Sequence, residues 1–452
     1  MKASSFARFL RISSAALLAA CLLLGASVNS SLLPKKEGIQ TLVLLDDWAT
    51  IQSHSVFFDT LRKDGHHIQF ESANPPPSIK YYESFFYDNI ILMAPAVKEL
   101  RSPVATDDLI EFLQSKSGNH NLMIFGDTDA KRPVRSLVNS FGVEFENTGF
   151  ELRDYTSENG NTLTSQNFFE PFRTTSKGIF STSGKIAFGS GIAQVVDPSN
   201  QYAFPILRAE QSTVSVKEDG SVSKISGEAI TLVSGYQTRA NQRVSISGSL
   251  SLCSNDNIQL TVGAEGGLSS SGNFQFCKEL SQWTFGQRAV VRISPMRHHK
   301  KGEKWTGVNP ENYRIKDIVE LEADFEERRP DGTWAPFVAE DIQLEFIRLD
   351  PFHRLNLKQV GTSATYHAQL VVPDTLGIYK FKVYHRRFGY SLIEAETLVS
   401  CIQFRHDEYP RFLNVALPYY TNIFLSMAAG FLFIMFFLYS DISEKVTKKI
   451  KE

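Results

Sequence analysis

Two pairs of carboxylates stand directly after hydrophobic runs of the kind that form buried strands. Asp46 and Asp47 follow the run TLVLL, and Asp127 and Asp129 follow the run NLMIFG. In an open parallel sheet, ligands bind beyond the carboxyl ends of the strands, so these acids could share one edge. Paired carboxylates there could hold a divalent cation or act as general acid and base. An aspartate after a strand is also a common helix cap or turn former, and we favour that interpretation.

Other motifs that carry chemistry are absent or weak. No G-x-G-x-x-G follows the first strand, and the sequence contains no P-loop, G-x-S-x-G elbow or H-E-x-x-H. The run Ser245–Ser249 resembles an elbow only loosely. His66–His67 and His298–His299 are adjacent pairs, which point to opposite faces of a strand and make a poor chelate. We interpret them as surface or loop histidines, and we predict no catalytic residue, no metal site and no cofactor.

The cysteines leave two possibilities open. Cys21 lies in the N-terminal apolar run, so Cys253, Cys277 and Cys401 remain in the mature chain. In an oxidising compartment a Cys253–Cys277 bridge is plausible. Three buried free thiols are an equally good reading. No C-x-x-C pair supports a zinc ribbon.

The elements that would position the aspartates alternate between strand and helix. Thr106 or Asp107 can cap one of the helices. Strands separated by helices predict a doubly wound parallel sheet. The expected strands are 41–46, 67–71, 89–94 and 121–126, and the expected helices are 53–63, 106–114 and 134–141. Residues 150–285 are less regular, with strands at 187–196, 230–235 and 244–248, so we assign 39–285 to one α/β domain.

The pattern changes after residue 288. Short strand-like runs are separated by Pro, Gly and Asp turns, which is typical of a β-sandwich. The expected strands are 289–293, 318–325, 342–349, 366–372, 377–384 and 396–404. We therefore assign residues 288–404 to a second, all-β domain.

The chain contains an apolar run near each of its ends. Lys2, Arg8 and Arg11 precede an apolar run over 12–24 and a small-residue exit, which predicts a signal peptide over 1–28. A second uncharged run, 419–439, is long enough to span a bilayer and has tyrosines at its rims. The tail 440–452 contains four lysines, which predicts a cytoplasmic C-terminus and a type I single-pass protein.

The formal net charge is −2. The part between the two apolar segments has an excess of acidic residues, which argues against binding to nucleic acid or anionic lipid. Within the span, Ser426, Ala428, Ala429 and Gly430 are small residues that would permit close contact with another helix. They could equally face lipid.

Several strings, in this order and spacing, are shared with one known family. They are TLVLLDDW from Thr41, SVFF within 53–58, LRKDGH from Leu61, RVSISGS from Arg243, DIQLEFIRLDPF from Asp341, GIYKFKV from Gly377, RFGY from Arg387, YPRF from Tyr409 and PYY from Pro418. The chain thus resembles the family of the 48 kDa, non-catalytic subunit of the eukaryotic oligosaccharyltransferase complex.

The resemblance implies membership of a complex that transfers an oligosaccharide from dolichyl diphosphate to Asn in the endoplasmic reticulum. It implies a glutamine amidotransferase-like fold without the nucleophile, a role in complex assembly and stability, and an active site in another subunit. The implied partners are the catalytic subunit, ribophorin-type subunits and a DAD1-type small membrane subunit. Family members often end in a dilysine signal, but here Ile450 stands third from the end, which favours retention through partners.

Two rival hypotheses remain open. The chain could be an enzyme or a sugar- or substrate-binding module that works at the Asp46/Asp127 end of the sheet. It could also be a single-pass receptor exposed at the cell surface.

Overall fold

The computed structural model describes residues 38–82, 84–115, 119–154, 163–169, 179–182, 184–217, 219–264, 267–409 and 414–451. The signal peptide expected over 1–28 lies outside these residues. The chain divides into two compact units. Unit 1 comprises residues up to Arg292 together with Glu326–Phe337 and His385–Ile393, and unit 2 comprises Ile293–Phe325, Val338–Tyr384 and the C-terminal part from Glu394.

Unit 1 contains most of the strands and six α-helices of the described chain. The helices are α1 (Ala49–Ser53), α2 (Ser55–Lys63), α3 (Thr106–Gln114), α4 (Arg132–Ser140), α5 (Asn255–Gln259) and α6 (Asn273–Thr284). The strands are β1 (Ile39–Leu45), β2 (His66–Ser72), β3 (Lys80–Tyr81), β4 (Ser84–Phe85), β5 (Asn89–Met93), β6 (Asn121–Phe125), β7 (Val143–Phe145), β8 (Phe150–Asp154), β9 (Thr164–Ser165), β10 (Asn167–Phe168), β11 (Ile186–Ala187), β12 (Gln194–Val196), β13 (Ala203–Arg208), β14 (Thr213–Lys217), β15 (Val222–Ser226), β16 (Thr231–Gln237), β17 (Arg243–Ser247), β18 (Thr261–Ala264), β19 (Gly267–Ser270) and β20 (Val290–Ile293).

The main sheet of unit 1 has the strand order β10-β13-β16-β17-β6-β5-β1-β2. Strands β2, β1, β5, β6 and β17 are parallel to one another, β16 is antiparallel to β17, and β13 is antiparallel to β16. Every residue of β5 and β6 is buried, because helices cover parallel strands on both faces. The direction of the strand order reverses between β1 and β5. The mixed α/β architecture predicted from the sequence is confirmed.

Local differences from the prediction have physical reasons. Helix α3 begins at Thr106 with Ala105 as its N-cap, and the Ala105 N–H donates to Asp108 Oδ2 at 3.1 Å. The strand expected over 187–196 is interrupted, because Gly189 lies at a positive φ of 55° and turns the chain. Helix α6 was missed because nine of its twelve residues are buried, polar ones among them, so no clear polar face marks its period.

A buried arginine connects α6 to the sheet. Arg243, the first residue of β17, is 1% exposed, and its guanidinium donates to the carbonyl oxygens of Trp283 (2.7 Å), Arg288 (2.6 Å) and Ala289 (2.7 Å). These carbonyls lie at and beyond the C-terminus of α6, where the helix dipole favours a cation. The guanidinium carbon also lies 5.1 Å from the centre of the Trp283 ring. Burial lowers the pKa of Arg243 to about 9.

Unit 2 is built from two sheets and carries the C-terminal helix. The strands after β20 are β21 (Arg297–Lys300), β22 (Asn312–Arg314), β23 (Ile318–Arg328), β24 (Trp334–Pro336), β25 (Gln343–Ile347), β26 (Pro351–Asn356), β27 (Lys358–Gln359), β28 (Thr365–Val371), β29 (Gly377–His385) and β30 (Ile393–Ile402). Of these, β24 belongs to unit 1. One sheet pairs β23 with β28 and β21, and the other has the order β22-β30-β29-β25-β26. Burial alternates along β23, β28 and β29, so each strand has one buried face.

The chain ends in one long helix, α7 (Leu417–Lys451). Residues Asn414–Tyr439 have a mean hydropathy of 2.0 and are not buried against the rest of the chain. A helix of this length and composition can cross a membrane, as the sequence predicted for 419–439.

We predict that Arg243→Ala destabilises unit 1 by about 3–5 kcal/mol, because it leaves buried carbonyl groups without donors and opens a cavity beside Trp283. The measurement is urea unfolding of the purified full chain in mild detergent, followed by tryptophan fluorescence. Arg153→Ala is the control: Arg153 forms an exposed ion pair with Glu151, so its loss should change stability by no more than about 0.5 kcal/mol. Equal effects of the two substitutions would contradict the role given to Arg243.

Candidate functional site

The carboxyl edge of the parallel strands is the first place to look for a site. Asp46 follows β1 and is exposed, and its Oδ2 accepts the backbone N–H of Ala96 at 3.0 Å. Asp47 Oδ1 accepts the N–H of Ala49 at 3.0 Å in the first turn of α1. The hydrogen bond from Ala96 therefore joins the loops after β1 and β5, the two strands between which the order reverses. This is the crevice in which open α/β sheets bind ligands.

The second pair of aspartates lies in the turn after β6. Asp127 is half-buried, and its Oδ1 accepts the N–H of Thr128 at 2.7 Å, while Asp129 is exposed. Burial raises the pKa of Asp127, and the nearby charges of Asp129 and Asp46 raise it further. The structure thus brings Asp46, Asp127 and Asp129 within electrostatic reach of one another. However, the described residues contain no group of three or more His, Cys, Asp or Glu that could hold a metal ion.

Main-chain atoms cover the carboxyl ends of β6 and β17 at the same edge of the sheet. The Gly126 N–H donates to Ser247 O at 2.7 Å, and the Ile192 N–H donates to Gly248 O at 2.9 Å. A Cβ added to Gly248 would lie 2.3 Å from Ile192 O. The buried Gln194 side chain fills the adjoining space and donates to Leu232 O at 3.0 Å. The segment around Ile192 therefore passes so close to the end of β17 that position 248 has no room for a side chain.

The serine-rich run is buried and satisfied internally. Ser245 Oγ accepts from Thr284 Oγ1 at 2.9 Å, and Ser247 Oγ donates to Ser249 O at 2.9 Å. All three serines are buried. They hold the end of β17 and do not form an exposed nucleophile.

The interpretation of the adjacent histidines as surface or loop residues is wrong for one member of each pair. His66 is buried in β2, where Nδ1 lies 2.9 Å from Thr41 Oγ1, and burial lowers its pKa to about 4. His298 is buried in β21, where Nδ1 lies 2.7 Å from the Tyr313 hydroxyl, and burial lowers its pKa to about 4. Their neighbours point away, as the alternation of a strand requires.

The three cysteines among the described residues are buried. Cys253 and Cys277 form a disulfide that links the segment after β17 to helix α6. Cys401 is a buried free thiol in β30, and burial raises its pKa to about 11. Neither arrangement is that of a reactive thiol.

The four small residues of the membrane-spanning helix do not share one face. At about 100° per residue, Ala429 and Gly430 lie within about 60° of Ser426, whereas Ala428 lies about 160° away. A Cβ on Gly430 would meet nothing within 4 Å. One face of α7 is therefore narrow at Ser426, Ala429 and Gly430, and Ala428 belongs to the opposite face.

The sequence did not indicate a cavity of about 860 Å³ in unit 1. Phe204 and Phe388 form part of its wall, with their ring centres 5.6 Å apart. Arg386 lies beside it, donates to Gln201 O at 2.6 Å and stacks on the Tyr202 ring at 5.1 Å. These residues come from distant parts of the chain, so no local pattern could have indicated them.

Comparison with known proteins gives one consistent result. The family model described as the OST48 N-terminal domain matches residues 34–287, and the OST48 middle domain matches residues 298–441. Three similar relatives are each named the 48 kDa subunit of dolichyl-diphosphooligosaccharide–protein glycosyltransferase. The relative from Danio rerio is 31% identical over 90% of this chain and 93% of its own. The corresponding values are 32%, 91% and 93% for Drosophila melanogaster, and 31%, 88% and 92% for Arabidopsis thaliana.

We predict that Asp127→Asn raises the midpoint of thermal unfolding at pH 7. The raised pKa of Asp127 means that its ionised form is less favourable in the folded chain than in the unfolded chain. That cost is present above the folded pKa and disappears as the pH falls below the unfolded value, so the difference between variant and parent should shrink as the pH falls towards 4. Asp129→Asn, at an exposed position, should give a smaller rise. A lowered midpoint for Asp127→Asn at pH 7 would contradict this interpretation.

Proposed function

This chain belongs to the family of the 48 kDa subunit of dolichyl-diphosphooligosaccharide–protein glycosyltransferase, and we propose that it acts as a non-catalytic subunit of that complex. In this role it supports the transfer of a preassembled oligosaccharide from dolichyl diphosphate to Asn in Asn-x-Ser/Thr of nascent proteins. The active site lies in another subunit. Its own contribution is to the assembly and stability of the complex.

One observation carries the non-catalytic assignment. Over β6 and β17, the carboxyl edge of the sheet is covered by main-chain hydrogen bonds between Gly126 and Ser247 and between Ile192 and Gly248. The aspartates nearest to this edge accept backbone N–H groups, in the manner of turn-forming residues. A sheet arranged in this way is suited to support other subunits.

The finer features of the fold and its location belong to the same proposal. Residues 39–285 form a glutamine amidotransferase-like domain without a nucleophile, and residues 288–404 form a β-sandwich. The protein lies in the membrane of the endoplasmic reticulum as a type I protein, with both domains in the lumen and the tail 440–452 in the cytoplasm. It is retained there by its partners: the catalytic subunit, ribophorin-type subunits and a DAD1-type small membrane subunit.

The membrane helix provides one contact for assembly. Ser426, Ala429 and Gly430 line a narrow strip of α7 along which a second helix can approach closely. The Ser426 hydroxyl donates to Ile423 O at 2.8 Å within its own helix, so it needs no partner in lipid. Packing of the backbones, rather than hydrogen bonding, holds this contact together.

We predict that the double substitution Ser426→Leu and Gly430→Leu releases this chain from its complex, because the added side chains fill the strip. The measurement is purification through a tag on this chain in mild detergent, with the recovered subunits identified by mass spectrometry. Ala428→Leu, on the opposite face, is the matched control and should recover the full set. A parent chain that purifies as a monomer would contradict membership of a complex. Equal recovery of both variants would contradict only the helix contact.

The rival hypothesis of an enzyme or sugar-binding module is tested at the aspartates. We predict that replacing Asp46, Asp47 and Asp127 together by Ala leaves glycosylation of a sequon reporter unchanged, because these side chains only hold turns. The assay is a reporter mobility shift in cells whose own copy is replaced by the variant. Reduced glycosylation with the complex still assembled would favour the rival.

A further inference from the structure

The outer face of one sheet in unit 2 changes from charged to apolar along its strands. On β30, Glu394 and Glu396 are exposed and are followed on the same face by Leu398, 69% exposed, and Ile402, 42% exposed. On β29, Lys380 and Lys382 follow Ile378, which is 68% exposed. The two strands are neighbours in the sheet. Their charged parts therefore lie side by side, and so do their apolar parts.

The charged part of this face is neutralised within the sheet. Lys380 pairs with Glu396 at 3.0 Å, and Lys382 pairs with Glu394 at 3.2 Å. On the adjoining strands, Arg354 pairs with Glu345 at 2.7 Å. Each of these cations has a carboxylate partner, so this part of the face has no excess charge with which to attract a charged surface.

The apolar part lies at one end of three neighbouring strands. The ion pairs Lys382–Glu394, Lys380–Glu396 and Lys382–Glu396 indicate that β29 and β30 run antiparallel, and the next residues on this face are Ile378 and Leu398. Strand β25 pairs Ile347 with Lys380, and Leu349 lies in the bend that follows this strand, at the same end of the sheet as Ile378. Leu349 is 90% exposed. We call Leu349, Ile378 and Leu398 the apolar row.

The chain leaves this end of the sheet for the membrane-spanning segment over a short distance. Ile402, the last residue of β30, pairs with Arg314 of β22, and the Arg314 guanidinium forms an ion pair with Glu408. Glu408 is thus fixed to the sheet, and the span begins at Asn414. Six residues reach at most about 20 Å even when fully extended. The end of the sheet that carries the apolar row is therefore close to the bilayer.

We propose that the apolar row rests on the bilayer surface, with its side chains at the boundary between lipid headgroups and acyl chains. Large exposed aliphatic side chains are unfavourable in water and favourable at this boundary. Because the neighbouring charges are paired, the surface suits zwitterionic lipid and needs no anionic headgroup. The ion-paired rows remain in the aqueous layer above it. The contact orients unit 2 on the membrane.

This inference rests on the span Asn414–Tyr439 crossing the bilayer, and it does not depend on which subunits surround the chain. A retained span shows as resistance to alkaline extraction, and complex membership shows as co-purified subunits. Both are measured on the same samples as the lipid contact. Failure of the proposed function and failure of the lipid contact are therefore distinguishable.

The test places a fluorophore on the row. Ile378→Cys and Leu398→Cys, each labelled with nitrobenzoxadiazole in the purified complex, are reconstituted into phosphatidylcholine vesicles that contain phosphatidylcholine spin-labelled at the top of the acyl chain. Glu394→Cys, four residues from Leu398 on the same face of the same strand, is the matched control. The unsubstituted complex gives the background from native cysteines. Two test positions guard against one substitution disturbing the fold.

We expect the spin label to quench emission at positions 378 and 398 and to leave emission at 394 unchanged. Unquenched, red-shifted emission at 378 and 398 would show that the row is exposed to water and would overturn the proposal. Unquenched, blue-shifted emission would show that a partner polypeptide covers the row and would overturn it as well. Equal quenching at all three positions would also contradict it, because the charged part of the face would then lie as close to the lipid as the apolar row.

Discussion

The organisation of unit 1 depends on one buried cation that forms no ion pair with a carboxylate of the described residues. Taking a guanidinium out of water is costly unless its donors are satisfied, and the two terminal nitrogens of Arg243 meet this requirement with carbonyl oxygens at the end of helix α6 and just beyond it, whereas Nε has no partner among the described residues. Arg243 is also held by the neighbouring strands. Its backbone N–H donates to Asn121 Oδ1 at 3.0 Å, and the Asn121 side chain in turn donates to Asn89 Oδ1 at 3.1 Å. The arginine thereby holds β17 in register with the parallel strands and fixes α6 beside them.

This position of β17 has consequences at the other end of the strand. Because β17 continues the parallel set and is followed at once by Gly248, its carboxyl end lies against the segment around Ile192, which covers this part of the sheet edge. The Trp283 ring beside the arginine also donates through Nε1 to Gly389 O at 2.8 Å, which holds the segment His385–Ile393 within unit 1. Arg243 thus fixes the amino end of β17, and the resulting position of β17 places main-chain atoms over its carboxyl end. The proposed non-catalytic function rests on this covered carboxyl end.

Elements with a strong local signal were predictable from the sequence. Strands β1, β5 and β6 are continuous apolar runs, and helix α2 has one apolar face and ends before Gly65. The type and approximate bounds of each element therefore follow from the spacing of its apolar residues and from the residues that end it. Helix α6 was not predictable in this way, because burial on almost every side removes the polar face. The roles of Arg243 and Gln194 were equally hidden, since each depends on carbonyl groups that are far away in the sequence. Placing Asp46 and Asp127 on one edge was possible from the strand ends alone. Recognising that main-chain atoms cover this edge over β6 and β17 required the positions of backbone atoms.

The nature of that closure limits how the protein could change over evolutionary time. A pocket blocked by a large side chain can be reopened by a single substitution, but here the block consists of Ile192 O and its contact with a glycine that has no side chain to remove. Exchanging residues around Asp46 or Asp127 would alter charge without creating volume. A ligand site over β17 would require deletion or rerouting of the segment before β12. Opening this part of the edge is therefore a change of chain path, which a single substitution cannot supply.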